Sequence, residues 1–460
     1  MSKQNFSSLP LNAEFLKNLK ALKYTQMTPI QSLSLPSILE NKDILAQAET
    51  GSGKTAAFAI GLLHKLDTQL QHTQALIICP TRELADQVSK ETRRLARAIP
   101  NTKIITLCGG KPMQPQLTSL QHAPHIVVGT PGRLLKHLEK ETLNIKQIKT
   151  LVLDEADRML DMGFHEDIMR IIHFTPNQRQ TLLFSATYPD DILSISNTIQ
   201  QKPIKIEAPN IDTDKKIKQL FFEIQKGERA KTLKNLLGQY KPESCIVFCN
   251  RKQQCNELAE YLWQEGFHAQ ALHGDLEQKD RDRVLVQFSN NSSSILIATD
   301  VAARGIDIKD LPLVINYELA HDPEIHIHRI GRTGRAGKEG LALSLFMPTE
   351  AKKINAIEDY QNGAVKIKQS NTISASKQFK LTPSKVTLLI SAGRKNKVRA
   401  GDILGALTSG DTLNGNQIGK IDIFDNFSYV AIERDVAKIA LKVLSDGKIK
   451  GRKFRVKKLS

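Results

Sequence analysis

Five short apolar runs in the first half of the chain constrain its fold more than any other feature: Ala75-Leu76-Ile77-Ile78-Cys79, Ile104-Ile105-Thr106-Leu107, His125-Ile126-Val127-Val128, Thr150-Leu151-Val152-Leu153 and Thr181-Leu182-Leu183-Phe184. Each is apolar at successive rather than alternate positions, so both faces of each strand need cover, and the amphipathic stretches between them supply helices for it. This is the pattern of an α/β fold with a parallel sheet. The rhythm stops in a polar segment, 208–216, and resumes at Cys245-Ile246-Val247-Phe248-Cys249, Ala269-Gln270-Ala271-Leu272, Ser294-Ile295-Leu296-Ile297-Ala298 and Leu313-Val314-Ile315-Asn316. The second set predicts a second parallel sheet. In such sheets ligand residues sit just beyond the carboxyl ends of the strands, so the residues immediately after each run carry the chemistry.

An earlier run, Asp43-Ile44-Leu45-Ala46, leads into Ala48-Glu49-Thr50-Gly51-Ser52-Gly53-Lys54-Thr55 and then into the helical Ala56-Ala57-Phe58-Ala59-Ile60. Strand, glycine turn and helix in that order aim backbone N–H groups and a helix N-terminus at one centre, where a polyphosphate fits. Thr50, Gly51, Ser52 and Gly53 form the cradle. Lys54 is expected to reach the β/γ-phosphates of ATP, and the Thr55 hydroxyl to coordinate Mg²⁺. Ala48 stands where the general phosphate-loop pattern has glycine, so the loop alone also fits a turn that binds nothing. Asp154-Glu155-Ala156-Asp157 closes the fourth run, and two carboxylates after a buried strand are costly unless a cation or hydrogen bonds compensate them. Asp154 is expected at the Mg²⁺, through water, and Glu155 at the attacking water. Alone, the same acids would serve to cap the next helix.

The chain of 460 residues suggests two to four domains, and its formal charge of +17 points to a polyanionic partner. Charge does not distinguish nucleic acid from membrane. No apolar run approaches the roughly 18 residues of a membrane span and the N-terminus has no signal-type apolar core, so a cytoplasmic protein is expected. The five cysteines, Cys79, Cys108, Cys245, Cys249 and Cys255, form no Cys-x-x-Cys pair and read as buried thiols.

Upstream of the phosphate loop, Tyr24-Thr25-Gln26-Met27-Thr28-Pro29-Ile30-Gln31 resembles the Q motif of DEAD-box RNA helicases. The resemblance implies that Gln31 reads the adenine edge and that Tyr24 supports the ring. Met27 departs from the family's more usual proline. Pro80-Thr81-Arg82, Gly109-Gly110 and Thr130-Pro131-Gly132-Arg133 resemble the family's RNA-backbone contacts, implying that Arg82, Gly110, Thr130 and Arg133 bind RNA. Ser185-Ala186-Thr187 resembles the motif that couples nucleotide state to domain closure. In the second half, Ala298-Thr299-Asp300-Val301-Ala302-Ala303-Arg304-Gly305-Ile306-Asp307 and His328-Arg329-Ile330-Gly331-Arg332-Thr333-Gly334-Arg335 resemble the family's last two motifs. They imply arginine fingers at Arg332 and Arg335, a ribose or interface role for Asp307, and RNA contacts from Arg251, Gly274, Gln278, Arg281 and Thr299. His326 stands where the family usually has tyrosine.

From 366 to 380 the sequence is polar and reads as a second linker. The last eighty residues carry sixteen Lys and Arg against seven Asp and Glu, about half of the net charge. Their pattern predicts strand 385–390, helix 400–408, strands 418–424 and 427–432, helix 436–444 and strand 453–459, the βαββαβ order of an RNA-recognition fold. Phe427 and Tyr429 fall on the third strand, where they either stack on bases or pack in the core. Arg394, Lys395, Lys397, Arg399, Lys448, Lys450 and Arg452 are candidate RNA contacts. With Gly393-Arg394-Lys395 and Val398-Arg399-Ala400-Gly401-Asp402-Ile403-Leu404-Gly405-Ala406-Leu407, the tail resembles the bacterial DbpA group of this family. That resemblance implies a grip on a large-subunit ribosomal RNA hairpin.

The expected organisation is two RecA-like parallel-sheet lobes, 1–207 and 217–365, joined by linker 208–216, then linker 366–380 and an RRM-like domain, 381–460. The expected protein is an ATP- and Mg²⁺-dependent RNA helicase working on pre-ribosomal particles. Two rival readings are a general RNA remodeller with an indiscriminate basic tail and a non-enzymatic RNA clamp.

Overall fold

The computed structural model describes residues 5–48, 51–188, 190–208, 217–303, 308, 311–334, 339–373, 379–410 and 413–459. The chain divides at 211/212 into two compact units.

The first unit holds seven strands: β1 (Ile44–Gln47), β2 (Ala75–Ile78), β3 (Ile104–Leu107), β4 (Ile126–Gly129), β5 (Thr150–Asp154), β6 (Gln180–Ser185) and β7 (Ile204–Glu207). They pair in the order β3-β4-β2-β5-β6-β1-β7, parallel at every junction. Successive side chains feed opposite cores. Ile44, Ala46, Ile77, Val128, Val152, Leu182 and Phe184 join the helices Pro29–Leu39, Lys54–His64 and Arg82–Leu95 on one face. Leu45, Leu76, Ile78, Val127, Leu151, Leu153 and Leu183 join Pro131–Glu139, His165–His173 and Asp190–Ile199 on the other. Burial on both faces is why the runs are continuously apolar.

The second unit repeats the plan with β8 (Ile217–Glu223), β9 (Cys245–Phe248), β10 (Ala269–Leu272), β11 (Ile295–Ala298), β12 (Leu313–Asn316), β13 (Gly340–Phe346) and β14 (Lys366–Gln369), ordered β10-β11-β9-β12-β13-β8-β14 and again parallel. β14 lies inside the stretch expected to be a linker. Its Lys-Ile-Lys-Gln alternation is a charged edge strand, polar because it faces water, and Lys366 to Gln369 pair with Leu220 to Glu223. Ile373, Phe379 and Leu381 then pack into the core of the same lobe. The stretch is therefore strapped to the lobe on both sides of 374–378, which lie outside the described residues, as do 209–216 of the first linker.

The tail continues as β15 (Lys385–Ile390), β16 (Ile418–Ile423), β17 (Ser428–Glu433) and β18 (Val456–Lys458), an antiparallel sheet ordered β16-β17-β15-β18, with helices Ala400–Thr408 and Ala437–Asp446. The expected βαββαβ order holds. The last strand is shorter than the expected 453–459, because a turn with Ile449 bridged to Arg452 precedes it.

The sheet is docked on the second lobe. Tyr429 and Leu459 bury against Val286 of the helix Gln278–Ser289. Thr387 hydrogen-bonds Ser292 Oγ at 2.7 Å, the Lys385 N–H donates to the Asn291 carbonyl at 3.2 Å, and Lys420 Nζ donates to Ser289 Oγ at 3.3 Å. All five cysteines are buried free thiols.

Candidate active site and nucleic-acid interface

The phosphate loop leaves β1 and enters the helix Lys54–His64 through Gly51 (φ 91°) and Gly53 (φ 102°). A Cβ on Gly53 would lie 2.5 Å from Gln31 Nε2, so glycine is required by both backbone angle and neighbour. That neighbour joins the Q-motif helix to the loop. Gln31 is buried, donates from Nε2 to the Gly53 carbonyl at 3.1 Å, and accepts from the Thr28 N–H at 3.0 Å. The amide expected at the adenine edge thus also fixes the phosphate loop. Tyr24 is a packing residue here: its hydroxyl hydrogen-bonds Glu91, Arg94 lies over its ring at 5.5 Å, and Phe6 meets it edge-on at 6.0 Å. Thr50 lies outside the described residues.

Lys54 is 5% exposed and its Nζ has no partner among the described residues; Asp154, at the end of β5, is 2% exposed and its Oδ1 has none either. A buried ammonium and a buried carboxylate with an open atom each cost stability unless charge arrives from outside. Burial pushes the Asp154 carboxyl up to about 7, with Lys54 pulling it down and Glu155 pushing it further up. Among the described residues, no group of three or more His, Cys, Asp and Glu side chains could hold a metal. Among the described residues the site offers a hard cation the Asp154 oxygen and the Thr55 hydroxyl, a sparse set that suits Mg²⁺ completed by phosphate and water oxygens.

Glu155 comes next in the left-handed region (φ 55°, ψ 53°), rare for a residue with a side chain, and begins the short helix Ala156–Asp161. An ion pair holds it: Arg158 Nη1 lies 2.7 Å from Glu155 Oε2, both side chains at most 4% exposed. Asp157 accepts from the Ala186 N–H at 3.0 Å and the Thr187 hydroxyl at 3.4 Å, so the acidic motif grips the loop after β6 directly. Neither Arg158 nor Asp157 is among the residues expected at the site. The signals that could have found them are i,i+3 spacing from Glu155 and membership of the acidic tetrad.

On the other half of this sheet, the loops after the adjacent strands β2, β4 and β3 bring the expected RNA residues together. The Arg82 guanidinium lies against the Gly109-Gly110 turn, and a Cβ on Gly110 (φ 70°) would fall 1.8 Å from its Nη1. Arg133 donates to Gln116 Oε1 and to the Lys111 carbonyl, both at 3.0 Å, and burial together with Arg82 holds it below the ordinary arginine value. Two neighbouring guanidinium groups thus stand beside helices starting after Thr81 and Thr130, the chemistry that an anion site needs.

The second lobe repeats this arrangement. Arg251 lies just after β9, Gly274 after β10 and Thr299 after β11, three adjacent strands. Gln278 and Arg281 share the helix Gln278–Ser289, where Gln278 Nε2 donates to Asp282 at 2.9 Å. Arg332 is 4% exposed in a tight turn, its carbonyl accepting from the Leu311 N–H at 3.2 Å. Arg335 and Asp307 lie outside the described residues.

Arg329, which carries no role in the motif resemblance, organises the turn. Fully buried, it meets both Asp300 oxygens at 2.6 and 2.7 Å, donates to the Glu318 carbonyl at 2.7 Å and Asn250 Oδ1 at 2.8 Å, and lies over Phe248. It ties the loops after β9, β11 and β12 to one cation. His326 is a core residue between Gln219 and Asn316, 5.6 Å from the Phe221 ring.

In the tail, Arg394, Lys395, Lys397, Arg399, Lys448, Lys450 and Arg452 are all exposed, and Lys450 Nζ donates to the Lys397 carbonyl at 3.1 Å. Two basic turns separated by fifty residues thus meet. The aromatics divide differently from the sequence expectation. Tyr429 is 3% exposed against Val286 and Leu459, with no open face for a base in this docked arrangement, because a lobe helix covers that side of the sheet. Phe427 stays partly exposed and stacks at 5.1 Å on Phe424, an aromatic at the far end of the neighbouring strand that its position alone does not mark.

Family profiles agree with this division of the chain. One described as DEAD/DEAH box helicase matches residues 28–195, one as helicase conserved C-terminal domain matches 228–337, and one as DbpA RNA binding domain matches 387–458. The chain is 52% identical to the ATP-dependent RNA helicase DbpA of Escherichia coli, over 96% of its own length and 97% of that protein. It is 36% identical to the DbpA of Bacillus subtilis over 99% of both. Among solved structures, Saccharomyces cerevisiae Dbp5 bound to RNA and ADP BeF3 is 32% identical, covers 80% of this chain and 96% of its own, and superposes with a TM-score of 0.72. Two parallel sheets in succession would be shared with many nucleotide-dependent enzymes, but the order of motifs, the tail fold and full-length identity are shared with one group: the chain belongs to the DbpA-type DEAD-box ATP-dependent RNA helicases of bacteria.

Proposed function

We propose that this RNA helicase remodels large-subunit ribosomal RNA during ribosome assembly in the cytoplasm, with its tail holding an rRNA hairpin while the two lobes act on a neighbouring duplex. The observation that carries this reading is the exposed apex made by Arg394–Arg399 and Lys448–Arg452, a cationic surface suited to phosphate on the domain that separates this group from helicases of two lobes alone. The 52% identity to the Escherichia coli DbpA across nearly the whole chain supports it.

Lys54 binds the transferring phosphates, and the glycine cradle supplies N–H donors. Thr55 and Asp154 would hold Mg²⁺, which would offset charge on the polyphosphate. Glu155 orients the attacking water, and the Arg158 ion pair fixes that carboxylate in place. Arg332 and Arg335 stabilise charge on the γ-phosphoryl group, and Gln31 and Asp307 hold the nucleoside. Asp157 passes the state of this site to Ala186 and Thr187. ATP and RNA together then favour closure over either alone. The core contacts grip backbone without reading bases, so target choice belongs to the tail.

ATP turnover measured with an isolated large-subunit rRNA hairpin, with bulk RNA and without RNA tests the reading. Selective stimulation by the hairpin is expected; equal stimulation by unrelated RNA removes the ribosomal target and favours the general remodeller. Glu155→Gln should bind ATP and RNA yet lose turnover, and undiminished turnover there would remove the water-orienting role.

A further inference from the structure

The chain contains one tryptophan, and it is placed where packing does not need it. Trp263, near the end of the helix Lys252–Gln264, is 55% exposed, the most exposed of the large hydrophobic side chains described. An exposed indole offers a rigid apolar face with a polar edge, which a partner can use where other groups surround it.

Its surroundings are cationic and come from three parts of the chain. His268 meets the indole edge-on at 5.4 Å. The Trp263 carbonyl accepts from the Gly266 N–H at 3.0 Å, and the aliphatic chain of exposed Lys380 lies over that glycine, 3.3 Å from where a Cβ would stand. The tail supplies the rest. His268 holds the strand start beside the Asn291 turn, whose carbonyl accepts from the Lys385 N–H; Arg434 in turn donates to the Pro383 carbonyl at 2.6 Å and the Lys385 carbonyl at 3.4 Å. Burial lowers the pKa of His268, and the charges of Arg434 and the exposed Lys458 lower it further. Of the nearby acids, Glu265 is neutralised by Lys234 at 2.5 Å, and Glu260, one helical turn back, bounds the patch on that side.

We propose that Trp263, with Lys380 over the adjoining Gly266 turn and the tail cations Arg434 and Lys458 on the side of His268, is a stacking platform for an unpaired nucleobase of single-stranded RNA that flanks the duplex being opened. An open π-face for a base with cations for the adjoining phosphates is the chemistry of sequence-tolerant single-strand binding. A protein partner would need acids placed beside an apolar anchor to use the same groups, whereas every nucleotide carries a base and a phosphate together. The platform exists only with the tail docked, since Arg434 and Lys458 belong to the tail and Trp263 and His268 to the lobe. It is separate from the basic apex at Arg394–Arg399 and independent of the ribosomal assignment.

As the only indole, Trp263 is its own probe. The full chain is titrated with a hairpin RNA bearing or lacking a ten-nucleotide oligoadenylate extension, placed on the 5′ end in one RNA and on the 3′ end in another, while emission and affinity are followed. One of the extended RNAs should quench emission and bind at least about fivefold more tightly than the blunt hairpin, the lower bound for one base stack. Trp263→Ala should lose that gain, Trp263→Phe should keep most of it, and Lys458→Glu should reduce it while leaving the folded emission intact. If Trp263→Ala gains as much from both extensions as the parent chain, or if blunt and extended RNAs alter emission equally, the platform does not exist.

Discussion

The two lobes start a helix from the same strand of the same sheet and put a cation at its first position, yet they use it in opposite ways. β1 and β8 hold equivalent places in their sheets, each between the sixth strand of its lobe and an edge strand. Lys54 begins the helix after β1, and Arg229 begins the helix Arg229–Tyr240 after β8. Lys54 Nζ is buried without a partner among the described residues, beside an Asp154 that also has an open oxygen. The Arg229 guanidinium is fully engaged, donating to the Tyr317 and Leu345 carbonyls and pairing with Glu350. Tyr317 comes directly after β12, the counterpart of β5, so from the end of that strand the second lobe presents a backbone carbonyl, and its carboxylate comes instead from Glu350, outside the strand. One architecture leaves its cation open in the first lobe and closes it into a structural clasp in the second.

The largest test exchanges the two cations for alanine. Lys54→Ala should lower ATP turnover by about a thousandfold or more while leaving the melting temperature nearly unchanged or raised, because a buried unpaired ammonium is removed. Arg229→Ala should do the reverse, costing about 3 kcal/mol in urea unfolding by taking the guanidinium from Glu350 and from the Tyr317 and Leu345 carbonyls, with turnover per folded molecule close to the parent's. If Arg229→Ala destroys turnover in a folded protein, the second site is not merely structural.

The loops differ in a way that two glycines expose. Gly53→Ala places a methyl 2.5 Å from the Gln31 amide at φ +102°. Gly227→Ala, at φ +87°, meets nothing within 4 Å. The former should cost about 3 kcal/mol and weaken ATP binding, the latter about 1 kcal/mol from backbone strain alone, with ATP affinity unchanged. Equal costs in unfolding would show that the Q-motif helix does not brace the phosphate loop.

How much of this is legible in the sequence depends on whether a feature repeats locally. Strands such as Thr150–Asp154 announce themselves because both faces are buried, and Lys54, Asp154 and Arg82 because they come after strands in family order. Arg229 carries no signal, since its acceptors are carbonyls 88 and 116 residues away in sequence and carbonyls have no residue type. The strand Lys366–Gln369 reads as linker because an edge strand in water is polar like one. Tyr429 reads as a base platform because the helix that covers it, through Val286, lies 143 residues earlier. Long-range partners with generic chemistry are what a single sequence hides.

Acid separates the lobes in opposite directions, through a graded shift and not a loss of function. In the first, burial holds the Asp154 carboxyl above its unfolded value, so the folded state takes up the proton more readily and stability rises as pH falls below 7. In the second, burial and Arg329 push His326 down to about 3, against 6.5 when unfolded. Between those values the unfolded chain binds the proton that the fold excludes, so the second lobe keeps its full stability above pH 6.5 and loses it on acidification. From pH 7 to pH 5 the loss is about 2 kcal/mol at 1.36 kcal/mol per unit. Trp263 emission during urea unfolding reports on the second unit, in which it is the sole indole, and should show a midpoint that drops with pH. His326→Phe, which keeps a ring against Phe221, should flatten that dependence even if it costs stability at pH 7 through Gln219 and Asn316. A slope that survives His326→Phe would place the acid sensitivity of the second lobe elsewhere and leave the contrast with Asp154 unsupported.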